Sequence, residues 1–280
     1  MYLSMVVFEE CLAEYHPRMT GHSDLIKIKF MGVQEAMEGQ EYLPDHMLLE
    51  HVEYFVSHPV PAAWGCLCIG EPPEDLFKNN ICLIFPENTD RTSLYHDIQK
   101  IFFLYNSWEM EIRKAMQRNA TLEEMCNLCI PIFEKPIFIH DRNNELLAIA
   151  NEMAGQFSWQ YDETFDKYYL PLEILNTFKS SDEYHKTLHT YGAHVFSAKA
   201  TGYRTLYVNL RIEWVYVGRV CLDEIGTPIR KRDYELLEFF ADNIALAMQQ
   251  GMLLVSDVSN VLSILFKEMI DGKSYTKNQL

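Results

Sequence analysis

The chain has 280 residues, of which 48% are hydrophobic and 23% charged, and its formal net charge is −16. That length holds two ordinary domains or one large one, and the composition is that of folded rather than disordered material. The acidic balance excludes a surface built to grip a phosphate backbone, because no segment carries an excess of lysine and arginine.

Residues 4–15 carry helical periodicity, with Ser4 as N-cap and Val7, Cys11 and Tyr15 along one side. LIKIKF (25–30) alternates apolar and charged residues, the pattern of a half-buried strand. Residues 31–50 have no clear period. Further strands are predicted at VEYFVS (52–57), WGCLCIG (64–70) and NICLIF (80–85), the last two apolar enough to be covered on both faces. Residues 1–92 therefore read as a small α/β domain. From Ser93 the apolar residues Leu94, Ile98, Ile101, Tyr105 and Ile112 follow the helical period to Arg118, giving a connector helix over 93–119. Thr121-Leu-Glu-Glu124 has capping-box spacing and opens a short helix through Phe133.

PIFIHDRNNELLAIA (136–150) then reads as strand, turn at Asp141–Asn144, and returning strand. Residues 151–170 form a long aromatic-rich connection, followed by helices near 171–179 and 181–190. HVFSA (194–198), TLYVNLRI (205–212) and WVYVGRVCLD (214–223) are strands, the last two meeting at a tight turn around Glu213. A closing helix starts near Arg230. From Asp233 it carries a heptad-like seam, which points to a homodimer through Ile244, Leu254, Val258, Val261 and Leu265, although core packing within one domain explains 236–248 equally well.

The opening hairpin and DYELLEFFADNIALAMQQ (233–250) resemble the first hairpin and last helix of a GAF-like sensor domain spanning 120–250. Together with LSM (3–5), SLYHDIQKIFFLYNSWE (93–109) and LFKEMIDGKSYTKNQL (265–280), they make the whole chain similar to the N-terminal half of PucR-type (purine-catabolism-regulator-like) bacterial transcription regulators. The resemblance implies an α+β chain. In it a small α/β sensor domain and a helical connector precede a GAF-like antiparallel sheet flanked by helices, and a C-terminal signalling helix (251–280) leads toward a helix-turn-helix domain outside the sequence. DNA would be reached only through that domain.

Several clusters bear on chemistry. The rings Phe157, Trp159, Tyr161, Phe165, Tyr168 and Tyr169 suit a planar, partly polar small molecule, or equally staple a long loop to a sheet. His189 and Arg204 join them as candidate ligand contacts, and Arg211 is a further possible anion contact. His185 and His189 share a helix face with His194 nearby, and Cys126 and Cys129 have half a zinc-site spacing, but core or surface roles are favoured and no metal is expected. No GxSxG, Walker loop, GxGxxG or HExxH is present, so no enzyme activity and no cofactor are expected.

Seven cysteines, scattered in apolar contexts, suit a reducing compartment. Glu9 and Glu10 stand where a signal peptide would be basic, and no run approaches ~18 uninterrupted apolar residues, so a cytoplasmic protein without membrane contact is expected. The favoured function is an effector-sensing, dimerising region of a transcription regulator. A stand-alone small-molecule-binding module is the second reading and an enzyme the third.

Overall fold

In the computed structural model of the chain, residues 1–21, 23–36 and 43–270 are described, apart from the side chains of Ser23, Asp24 and 252–270. They divide into two compact units, Met1–Lys114 with Ile229–Tyr234, and Ala115–Pro228 with the stretch from Glu235 onward.

Unit one contains β1 (Leu3–Ser4), α1 (Met5–Cys11), β2 (Arg18–Gly21), β3 (Lys29–Phe30), β4 (Gly32–Glu35), β5 (His46–His51), α2 (Val52–Ser57), β6 (Gly65–Ile69), α3 (Glu74–Asn79), β7 (Ile81–Phe85) and most of α4 (Arg91–Gln117). Its sheet runs β2-β7-β6-β5-β4, parallel except for the β2 edge. Every residue of β6 and β7 is buried, as expected for strands covered on both faces. Cys66, Cys68 and Cys82 pack in one cluster with Leu48, Phe55 and Leu76. These thiols serve as small core hydrophobes. The helix α4 is capped one turn earlier than its apolar period indicates: the Ser93 amide donates to Asp90 Oδ2 at 2.8 Å.

Two predicted strands are corrected. VEYFVS forms the helix α2, and the strand lies just before it in β5, inside the stretch without a clear period. Parallel neighbours β5 and β6 need a crossover between them, and that demand overrides the strand preference of valine, tyrosine and phenylalanine. LIKIKF is a 3₁₀ turn over Ser23–Lys27 followed by the two-residue β3. Alternation yields a strand only where a ladder partner exists, and here only Lys29 and Phe30 find one, in β1.

Unit two contains α5 (Leu122–Asn127), α6 (Ile130–Phe133), β8 (Ile137–Asp141), β9 (Leu146–Ala150), β10 (Gln160–Asp162), β11 (Lys167–Tyr169), α7 (Leu172–Lys179), α8 (Asp182–Thr187), β12 (Ala193–Phe196), β13 (Thr205–Ile212), β14 (Val215–Asp223) and all but the first residues of α9 (Lys231–Ile270). The capping box forms as expected: Thr121 accepts from the Glu124 amide at 3.1 Å, and Glu124 accepts from the Thr121 amide at 3.2 Å. The short helix it opens ends at Asn127, and α6 is a separate turn with proline near its start.

The main sheet is antiparallel, ordered β12-β13-β14-β8-β9, so the first and last strands of the unit pair side by side near its centre. The β8–β9 turn is held by Asp141 Oδ1, which accepts from the amides of Asn143 and Glu145 at 2.8 Å each. The β13–β14 turn places Glu213 and Trp214 at φ 47° and 71°, a left-handed pair without glycine. Side chains alternate across the sheet. Phe138, Tyr207 and Cys221 share one face with Phe178 of α7, whereas Ile137, Ile139, Leu206, Val220 and Leu222 point to the other and are buried there. This is an α+β fold of a GAF-like kind, an antiparallel sheet flanked by helices. Ile244 is fully buried within unit two, and the side chains of Leu254, Val258, Val261 and Leu265 lie outside the described residues.

Candidate functional site

The face of the sheet carrying Phe138 and Tyr207 is covered by the 151–190 segment. Phe157 and Trp159 each meet Phe138, with ring centroids 6.2 and 5.3 Å away. Phe178 stacks on Tyr184 at 4.5 Å and meets Phe196 edge-on at 5.3 Å. An aromatic wall therefore stands against this face, to which the ring-rich connection contributes Phe157 and Trp159.

Polar side chains also sit inside the wall. Arg219, near the middle of β14, is only 4% exposed. Its Nε donates to Asn209 Oδ1 and its Nη2 to Thr187 Oγ1, both at 2.9 Å. The guanidinium carbon lies 4.4 Å from the ring centre of Tyr207, 5.5 Å from Tyr184 and 6.0 Å from Tyr216. Asn209 is oriented in turn by donating from Nδ2 to the Thr187 and Thr190 carbonyls at 2.6 and 3.1 Å.

Across the ladder from Arg219 stands His140. Burial, then the neighbouring guanidinium, lowers its pKa from 6.5 to about 4, so the ring is neutral at pH 7. Its Nδ1 lies 2.8 Å from the Asp141 carbonyl, which can only accept. The proton therefore sits on Nδ1, and Nε2 presents a lone pair. At the other end of the same face Asp223 accepts from Gln156 Nε2 at 2.9 Å and Thr205 Oγ1 at 2.7 Å. Burial outweighs these hydrogen bonds and raises its pKa to about 6. Burial likewise pushes the Tyr216 phenol up to about 12. Close approach of β14 to β8 depends on Gly218, where a Cβ would fall 2.3 Å from the His140 carbonyl oxygen.

Of the residues singled out from the sequence, Trp159 joins the wall, and Tyr169 is half-buried at the end of β11, opposite Gln160. Tyr161 and Tyr168 pair across the β10–β11 hairpin at 5.1 Å, exposed, with Phe165 exposed at its tip. Arg204 pairs with Glu224 on the surface, and His189 is exposed. Arg211 stacks over Tyr191 at 4.8 Å and donates to the Leu188 carbonyl, lining a cleft of about 500 Å³ with Trp214 and Glu238. His185 and His194 meet the backbone carbonyls of Lys179 and Tyr191, and no group of three metal-ligating side chains occurs among the described residues. Cys126 and Cys129 are buried.

Arg219, His140, Tyr207, Asn209 and Asp223 lie outside the residues that aromatic density marks in the sequence. One signal pointed to the first: Arg219 is the only charge between Val215 and Leu222, on an otherwise apolar strand.

No protein-family model matches the sequence, and none of the curated proteins matches it significantly. Among solved structures it is similar to the cofactor-binding GAF domain of the nutrient sensor CodY from Clostridium difficile, at 12% identity and a TM-score of 0.37, over 51% of this chain and 97% of that one. It is also similar to the phycoerythrobilin-bound GAF domain from a cyanobacterial phytochrome, at 10% identity and a TM-score of 0.40, over 53% and 96%. A third similar structure is the type II free methionine-R-sulfoxide reductase from Thermoplasma acidophilum, at 17% identity and a TM-score of 0.27, over 50% and 94%. The antiparallel sheet with its flanking helices resembles the GAF fold. No described helix is long and apolar enough to cross a membrane.

Proposed function

We propose that this chain is the effector-sensing region of a PucR-like transcription regulator, and that unit two binds a small molecule on the Phe138–Tyr207 face of its sheet. One observation carries the reading. A guanidinium, a neutral imidazole, a carboxyl and an amide are gathered on a buried aromatic-walled face, where apolar side chains would have been cheaper to fold. Buried polar groups of this kind, converging inside an apolar wall, are the usual makings of a ligand site. Trp159 belongs to its wall.

Residues 1–92 form a second sensor domain in this reading, 93–119 the connector, 120–250 the effector domain and 251–280 the signalling helix. A helix-turn-helix element belongs to a segment outside these residues, since the charge of −16 suits no phosphate contact. The effector acts by binding two arrangements of the closing helix unequally, and the homodimer passes that bias to DNA.

The test is a thermal-shift screen of the whole chain against metabolite mixtures, read on the unit-two transition. A selective effector at a hundredfold excess over its Kd stabilises by ~2.7 kcal/mol. Stabilisation confined to unit two, without turnover of the compound, is the expected result. Steady conversion of a stabilising compound to product would replace the sensor with an enzyme.

A further inference from the structure

We infer that the effector of unit two is a small organic carboxylate, its charge anchored by Arg219 and a hydroxyl or N–H beside that charge accepted by His140 Nε2. This identifies the ligand class for the sensor reading above and rests on it.

The argument starts from charge. Arg219 is almost wholly buried, yet both of its protein acceptors, Asn209 Oδ1 and Thr187 Oγ1, are neutral, and it makes no ion pair among the described residues. The nearest carboxylates of β14 and β8 are committed elsewhere. Asp223 stands four residues along the strand, about 13 Å away by strand rise, and is held by Gln156 and Thr205. Asp141 is turned into its own hairpin, accepting from Asn143 and Glu145. The rings of Tyr184, Tyr207 and Tyr216 soften the burial but bring no negative charge. A fixed, buried cation without a counter-ion is costly to keep, and an anion entering the site removes that cost.

The chemistry of the anion follows from what surrounds the cation. One guanidinium offers one fork and one positive charge, which matches a carboxylate. A phosphate ester would bring close to two charges against the single charge of Arg219. His140 works against a phosphate as well: with its proton committed to the Asp141 carbonyl, it can only accept. A donor on the ligand next to its carboxylate meets that lone pair. The rest of the ligand lies against Phe138 and Trp159, so its body is flat and apolar. Tyr184 and Phe178 stack on each other from α8 and α7 rather than from the sheet. Neither ring belongs to the sheet, so a ligand that displaces them leaves the β-ladder intact.

The experiment uses the full chain and two probes of one shape, benzoate and its uncharged amide, benzamide. Arginine Nε–H resonances are recorded in ¹⁵N-labelled protein, the Arg219 signal being the one missing from Arg219→Met. Benzoate is expected to displace that signal and raise the unit-two melting temperature, and benzamide to do neither. Arg219→Met should melt higher than the parent without ligand and bind benzoate at least ~10-fold more weakly, the loss expected for one charged hydrogen-bonding partner. Should that variant fail to fold, Arg219→Lys replaces it, keeping the charge but losing the fork, and weaker benzoate binding is again expected. Equal responses to benzamide, or an undiminished benzoate response in the variants, would overturn the carboxylate assignment while leaving the sensor reading to the metabolite screen. An unmoved Arg219 signal at saturating benzoate overturns it too.

Discussion

His140 and Asp223 lie on one face of one sheet, and burial moves their pKa values in opposite directions, each toward its uncharged form. For His140 the folded value falls from 6.5 to about 4. Its contribution is therefore fully present above pH 6.5 and is lost as pH falls toward 4. For Asp223 the folded value rises from 3.8 to about 6. Its contribution is present below pH 4 and lost as pH rises through 6. At ~1.4 kcal/mol per pH unit, each displacement is worth about 3 kcal/mol. Between pH 4 and 6 the two slopes oppose each other and nearly cancel. His140→Asn, whose amide can still donate to the Asp141 carbonyl, should unmask a loss of stability of about 3 kcal/mol as pH rises from 4 to 6. Asp223→Asn should unmask a gain of similar size over the same range. The assay is urea unfolding at half-unit pH steps, following the transition whose signal disappears in Trp159→Phe, with each variant read as a difference from the parent so that other carboxylates cancel. Parallel pH profiles for both variants and the parent would refute the reasoning, because neither group would then be titrating across its buried environment.

Other consequences are simpler. Gly218→Ala forces a Cβ into the His140 carbonyl oxygen and should destabilise unit two by about 2 kcal/mol or more, seen as a lower urea midpoint. Replacing the left-handed pair Glu213-Trp214 by Asn-Gly relieves backbone strain and should raise unit-two stability by about 1 kcal/mol, while removing an indole that is 85% exposed. Thr121→Ala breaks the reciprocal cap on α5 and should cost about 1 kcal/mol, measurable as faster hydrogen exchange of the Glu124 amide.

Features settled between neighbouring residues can be read from the chain alone. The capping box at Thr121, the Asx turn at Asp141, the tight turn at Glu213 and the apolar runs of β6 and β7 were all legible, because each is decided within a few residues by hydrogen bonding or backbone sterics. The antiparallel α+β arrangement of unit two was legible too, from the order of those segments. Tertiary structure alone decided the rest. Whether VEYFVS became strand or helix depended on β5 and β6 lying parallel and needing a crossover, a demand no window of six residues contains. The site behaves the same way. Aromatic density drew attention to Tyr161, Phe165 and Tyr168, which the fold leaves on an exposed hairpin. It is the pairing of β14 with β8 and β13 that brings Arg219 to His140, Asn209 and Tyr207. Burial, which sets the cost of a charge and the proton affinity of a ring, is a property of that assembled neighbourhood rather than of the residue type.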